Sequence, residues 1–167
     1  MLPARLRTFF VPACLGACAV LWASFHLEHL VGLVPCPLCF SQRALLAVYA
    51  VVCLAALLHA PGLRGLLRYA RAALACAGLG ALLAGRHVWL QGVAGGHVCS
   101  LPFSHVFEQP WRKAVHELLF GGPDCSSLAW SFLDLTLPEW SLLAFLLLAA
   151  MPLSALLAYR FRSLAQG

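Results

Sequence analysis

The chain has 167 residues, 62% hydrophobic and 10% charged. A soluble domain is about half apolar and about a quarter charged, so the composition excludes an ordinary soluble globule and describes a single-domain integral membrane protein. A formal charge of +5 is compatible with nucleic acid when taken alone, but the positions of the charges assign it to membrane topology.

Met1 to Thr8 carries Arg5 and Arg7, and an apolar run follows from Phe9 to Leu27. At ~1.5 Å per residue that run is long enough for the bilayer core. A basic start before an apolar stretch also describes a cleaved signal, and Leu15-Gly16-Ala17-Cys18 resembles a lipoprotein processing box. Hydrophobicity continues past Cys18 through Val20, Leu21, Trp22 and Phe25. Retention as a first transmembrane helix is therefore expected.

A connection over about 28–37 contains Val34-Pro35-Cys36-Pro37-Leu38-Cys39, and a second apolar run extends over about 38–58. His59-Ala60-Pro61-Gly62 breaks it. Arg64, Arg68 and Arg71 then precede a third run over about 72–90, with Arg86 and His87 near its far end. A more polar connection over about 91–139 holds the breakers Gly95-Gly96, Gly121-Gly122-Pro123 and Pro138. Within it, Phe107, Trp111, Val115, Leu118 and Leu119 recur at about a helical turn, which predicts an amphipathic helix over Ser104–Phe120 lying flat on the membrane. Packing of that helix on the spans is the alternative. The fourth run, about 140–159, is followed by Arg160 and Arg162.

With four spans, Arg5, Arg7, Arg64, Arg68, Arg71, Arg160 and Arg162 flank one side, whereas Glu28, Glu108, Glu117, Asp124, Asp134 and Glu139 lie on the other. The positive-inside rule puts both termini and the 59–71 turn in the cytoplasm. The eight cysteines divide along the same line. Cys14, Cys18, Cys53 and Cys76 sit inside the runs, where cysteine behaves as a small hydrophobe. Cys36, Cys39, Cys99 and Cys125 lie in or beside the connections on the outer, oxidising side.

The outer cysteines read as two pairs. Cys36-x-x-Cys39 opens a helix, whose N-terminal partial charge favours a thiolate, and Arg43 follows one turn beyond Cys39. Cys99 and Cys125 would close a long loop open to attack by another protein's thiolate. Together they form a candidate relay. Two ordinary structural disulfides are the plain alternative, and zinc is a second; the usual zinc signature has two short-spaced pairs, so no metal is expected. Arg43, Arg86 and His87 fall near the outer ends of their helices. Ionisable groups there are costly and mark function, here hydrogen bonding to a quinone carbonyl; snorkelling to the interface is the alternative for the arginines. His26, His29, His97, His105 and His116 read as interfacial or solvated.

Pro35-Cys36-Pro37-Leu38-Cys39 with Gln42-Arg43, Cys99 ahead of the loop helix, Asp124-Cys125, Trp130-Ser131-Phe132-Leu133 and Leu137-Pro138-Glu139-Trp140 together resemble the DsbB family, bacterial inner-membrane thiol:quinone oxidoreductases. The resemblance covers nearly the whole chain. It implies an all-α, four-helix transmembrane bundle with a short first and a long second periplasmic loop. It also implies a protein-disulfide oxidoreductase with ubiquinone or menaquinone as acceptor. Cys99 would be attacked by a reduced DsbA-like periplasmic thiol oxidase, leaving Cys125 as its partner. Exchange with Cys36–Cys39 would regenerate the loop disulfide, Cys39 facing the quinone and Arg43 standing at that site. His87 matches a histidine near the quinone, with a one-residue gap before Cys99. Lipid and quinone are the other implied partners. Two rivals are a quinone-linked reductase of the vitamin K epoxide reductase type, which usually carries its Cys-x-x-Cys late in the chain, and a membrane scaffold with structural disulfides.

Overall fold

The computed structural model describes residues 2–32, 36–59, 61–93, 108–121 and 131–164. In chain order these form α1 (Leu2–Val31), α2 (Pro37–His59), α3 (Leu63–Val93), α4 (Trp111–Phe120), β1 (Ser131–Phe132), β2 (Leu135–Thr136) and α5 (Leu137–Leu164). Four helices hold stretches long and apolar enough to cross a membrane: Thr8–Leu30, Pro37–His59, Leu63–Gly92 and Leu137–Leu164.

Each helix overruns the apolar run that announced it. α3 begins at Leu63, so Arg64, Arg68 and Arg71 lie on its first turns instead of in a linker. α5 begins at Leu137 and carries Arg160 and Arg162 near its end. Hydropathy marks where a helix meets lipid, whereas the helix itself runs as far as its backbone hydrogen bonds continue, which polar residues at its ends permit.

Small residues let these helices approach closely. Ala13 and Ala17 of α1, Ala50, Cys53 and Ala56 of α2, Ala73, Ala77 and Ala84 of α3 and Ala155 of α5 form one buried seam. In a bilayer, such residues supply the packing that the hydrophobic effect cannot. Gly80 of α3 belongs to the same device: a Cβ there would collide with the Phe145 ring of α5. Large apolar side chains instead face outward, among them Trp22, Val51, Leu82 and Leu147.

Pro152 sits inside α5. Having no N–H, it leaves the Leu148 carbonyl without its helical donor, and the buried Tyr49 hydroxyl of α2 donates to that oxygen at 2.8 Å. α5 itself starts with the glutamate half of a capping box: the Glu139 carboxylate accepts from the Thr136 N–H at 2.6 Å and from its hydroxyl at 3.0 Å. Just before it, β1 and β2 pair antiparallel, Ser131 with Thr136 and Phe132 with Leu135. Their two-residue turn, Leu133-Asp134, has positive φ at both positions, as the twist of a tight hairpin requires.

The loop helix is shorter than expected. It starts at Trp111, after Pro110 in an extended conformation (φ −54, ψ 135), and Glu108–Pro110 are not α-helical. Ser104–Phe107 lie outside the described residues. The expected apolar stripe also divides. Trp111, Val115 and Leu119 are exposed along one face, while the Leu118 carbonyl accepts a hydrogen bond from Ser41 of α2 at 2.7 Å. Thus α4 rests on the bundle with one end and keeps an apolar face outward. Gly121, which follows it, has φ +82, and a Cβ there would stand 2.7 Å from both Leu38 of α2 and Leu90 of α3.

Candidate functional site

The first turn of α2 is built from the Cys-x-x-Cys sequence itself. Phe40 N–H donates to the Cys36 carbonyl at 3.1 Å, making Cys36 the residue that caps the helix. Pro37 then occupies the first helical position, where its missing N–H costs nothing. The Cys39 N–H, two residues further, donates to Cys36 Sγ at 3.4 Å. Both cysteines are free thiols, with Cys36 donating to Cys39 Sγ at 3.1 Å.

α3 supplies the third group. His87 lies on the same buried face as Ala77 and Ala84 and is 4% exposed. Its Nε2 stands 3.7 Å from Cys36 Sγ. On the other edge of the ring, Nδ1 is 3.5 Å from the Gln42 side-chain nitrogen. Gln42 is buried on α2 in line with Leu46, Tyr49, Cys53 and Ala56, the stripe that faces the core.

The arrangement has a defined chemistry. An imidazole touching a thiol can take its proton or donate to its thiolate, depending on which ring nitrogen is protonated. The Gln42 amide selects between these: turned with its oxygen to the ring it accepts from Nδ1–H and frees Nε2; turned with its NH₂ it leaves the proton on Nε2. Cys36, Cys39 and His87 also present three metal-ligating atoms, all within 4.8 Å of one another.

Arg43 and Arg86 make their hydrogen bonds outside the Cys36–Cys39–His87 cluster. Arg43 is turned toward α1: its Nε donates to the Ser24 hydroxyl at 2.6 Å, Nη2 donates to the Ser24 carbonyl at 3.2 Å, and Nη1 pairs with the Glu28 carboxylate. The guanidinium also lies over the Phe25 ring, 4.9 Å from its centroid. Arg86 is exposed and donates to the Phe120 carbonyl at the end of α4, at 3.3 Å. It is adjacent to His87 in sequence but docks the loop helix, since consecutive helical residues point about 100° apart.

Cys99 and Cys125 lie outside the described residues, as do His97 and His105. Of the cysteines inside the spans, Cys53 is fully buried, Cys14 and Cys76 pack against the core, and Cys18 is exposed. Sequence reasoning used Gln42 only as part of the family pattern and Glu28 only for topology, and it assigned no part to Ser41. Gln42 had a signal, being the polar position on an apolar stripe one turn after Cys39; the engagement of Glu28 by Arg43 had none.

Comparison with known proteins gives a consistent picture. The family model "Disulfide bond formation protein DsbB" matches residues 6–155. The chain is 71% identical over 167 residues to disulfide bond formation protein B 2 of Pseudomonas putida, covering 99% of each chain. It is 65% identical to the protein of the same name from Pseudomonas entomophila, covering 98% of each. Disulfide bond formation protein B of Stutzerimonas stutzeri is 35% identical over 154 residues, covering 90% of this chain and 94% of the relative.

Proposed function

The chain belongs to the DsbB family, and on that premise we propose that it reoxidises a DsbA-like periplasmic dithiol oxidase and passes the electrons to membrane quinone. The observation that carries the reading is the contact of Cys36, Cys39 and His87 at the start of a membrane-spanning helix. A thiol pair there meets lipid on one side and the outer aqueous phase on the other.

In this reading Cys99, with Cys125 as its partner, receives two electrons from the partner dithiol through a mixed disulfide. Exchange with Cys36–Cys39 restores the loop disulfide and leaves the membrane pair reduced. Only three residues of chain lie between Gly121, wedged against Leu38 and Leu90, and Cys125. α4, held by Ser41 and Arg86, therefore fixes one end of the segment that carries Cys125.

Ubiquinone or menaquinone supplies, when bound, an acceptor for two electrons and two protons. The residues fit such a group: a buried imidazole and two thiols stand together at the start of an apolar helix, with the buried Leu38 between the two cysteines in the chain. His87 takes the Cys36 proton at Nε2 as the disulfide forms, and Gln42 holds the ring for it. Cys39, one turn inside the helix, is the sulfur assigned to face the acceptor. Arg43 ties α1 to α2 at this level and closes that flank of the site. The protein would sit in the bacterial inner membrane with both termini cytoplasmic and the redox cysteines periplasmic, since Arg64 and Arg68 of α3 and Arg160 and Arg162 of α5 share the end opposite Glu28 and Glu139.

The test is purified full chain with reduced DsbA-like oxidase and a ubiquinone analogue. Loss of quinone, one per dithiol oxidised, supports the reading; no quinone loss in folded protein whose loop disulfide still exchanges would refute it.

A further inference from the structure

We propose that the reduced Cys36–Cys39 pair together with His87 is a binding site for a thiophilic divalent cation of the Zn²⁺ class, occupied only while the pair is reduced. The proposal goes beyond the electron-transfer reading and does not depend on quinone.

Three donors converge here from two helices. A tetrahedral Zn²⁺ with bonds of about 2.3 Å to sulfur and about 2.0 Å to nitrogen needs its sulfurs about 3.8 Å apart and its sulfur and nitrogen about 3.5 Å apart. The two sulfurs stand 3.1 Å apart and Cys36 Sγ stands 3.7 Å from Nε2. All three donor atoms lie within 4.8 Å of one another, so a small opening of the thiol pair with a shift of Cys39 toward the ring completes three corners, and water takes the fourth. Four cysteines with one pair widely split do not make the usual zinc signature, whereas here His87 of α3 joins the close pair Cys36 and Cys39.

An independent feature points the same way. Metal-ligating histidines donate their other ring N–H to a fixed acceptor, which orients the ring and raises its basicity. Gln42, 5% exposed, stands 3.5 Å from Nδ1, and its amide oxygen supplies that acceptor after a simple rotation. The site is thus a Cys₂His set whose outer partner needs only that amide rotation to accept from Nδ1–H.

Binding replaces two thiol protons by the metal, and the protons go to solvent. No electron moves in that step. Formation of the Cys36–Cys39 disulfide removes both thiolates, so oxidation and metal binding are mutually exclusive, and the cation holds the pair reduced.

The experiment uses the full chain carrying Cys99→Ala and Cys125→Ala, reduced and titrated with Cd²⁺, whose thiolate charge-transfer band reports sulfur ligation. One Cd²⁺ per chain, displaced by Zn²⁺, is expected. Cys36→Ala or Cys39→Ala abolishes the band, Gln42→Leu weakens binding by about 10- to 100-fold, and His87→Gln, which removes a ligand, weakens it further. Without any change at the site, the midpoint potential of the pair rises by about 30 mV for each tenfold excess of free Zn²⁺ over its Kd. Absence of binding, binding that survives Cys36→Ala, or a potential indifferent to Zn²⁺ would overturn the site. None of these readouts involves quinone turnover, so failure of the site and failure of the proposed function are distinguishable.

Discussion

His87 Nε2 stands 3.7 Å from Cys36 Sγ, joining residues 51 positions apart on two neighbouring helices. No other described histidine forms a hydrogen bond to a cysteine sulfur. Removal of a positioned proton carrier typically costs about 10²- to 10⁴-fold. His87→Ala is therefore expected to slow quinone reduction by at least about 100-fold while leaving exchange between the loop disulfide and its partner unchanged. Stopped-flow comparison of the two steps checks this, and equal slowing of both would remove His87 from the inner pair.

Arg43 and Glu28 form a half-buried ion pair, their side chains 18% and 28% exposed. Breaking such a pair from one side leaves the other charge without compensation. Arg43→Met and Glu28→Gln should each destabilise the fold, by about 1–3 kcal/mol, and the double variant should lose less than the sum. Denaturant unfolding in detergent measures the cycle. If Arg43 shapes the acceptor flank by fixing α1, both single variants should also raise the apparent KM for quinone.

The Tyr49 hydroxyl satisfies the Leu148 carbonyl that Pro152 leaves without a helical donor. A buried acceptor deprived of its donor costs about 1–3 kcal/mol, which is the expected loss for Tyr49→Phe. In a Pro152→Ala background the helix supplies its own N–H, so the same change should cost clearly less. Thermal unfolding of the four proteins checks the difference, and equal costs in both backgrounds would break the link between the tyrosine and the proline.

Gly121 combines φ +82 with a close approach to Leu38 and Leu90. Gly121→Ala introduces both backbone strain and a collision, so α4 should shift on α2 and α3. The expected result is slower exchange between the loop pair and Cys36–Cys39, by about 10-fold, with the four-helix bundle intact by circular dichroism. Unchanged exchange would show that α4 does not set the loop's position.

The four spans and the helix start at Cys36 were legible because each rests on local chemistry: apolar length, arginine placement, and a Cys-x-x-Cys at the mouth of an apolar run. His87 was legible from its height in the third run. Where pairing across helices decides, sequence was silent. Arg43 follows Cys39 by one turn, yet its partners are Ser24 and Glu28 on α1. Arg86 and His87 are neighbours in sequence and point to different tasks. The loop helix was drawn too long because the apolar periodicity begins before Pro110, the residue at which the helix can start. Pairing of Cys99 with Cys125 rests on the sequence pattern and family membership.

The central claim is that electrons leave through Cys36 and Cys39. Purified Cys36→Ala and Cys39→Ala chains, each given reduced DsbA-like oxidase and a ubiquinone analogue, test it directly. Both variants are expected to exchange once at the loop disulfide and then stop, with no quinone consumed. Full turnover by either one would contradict the account.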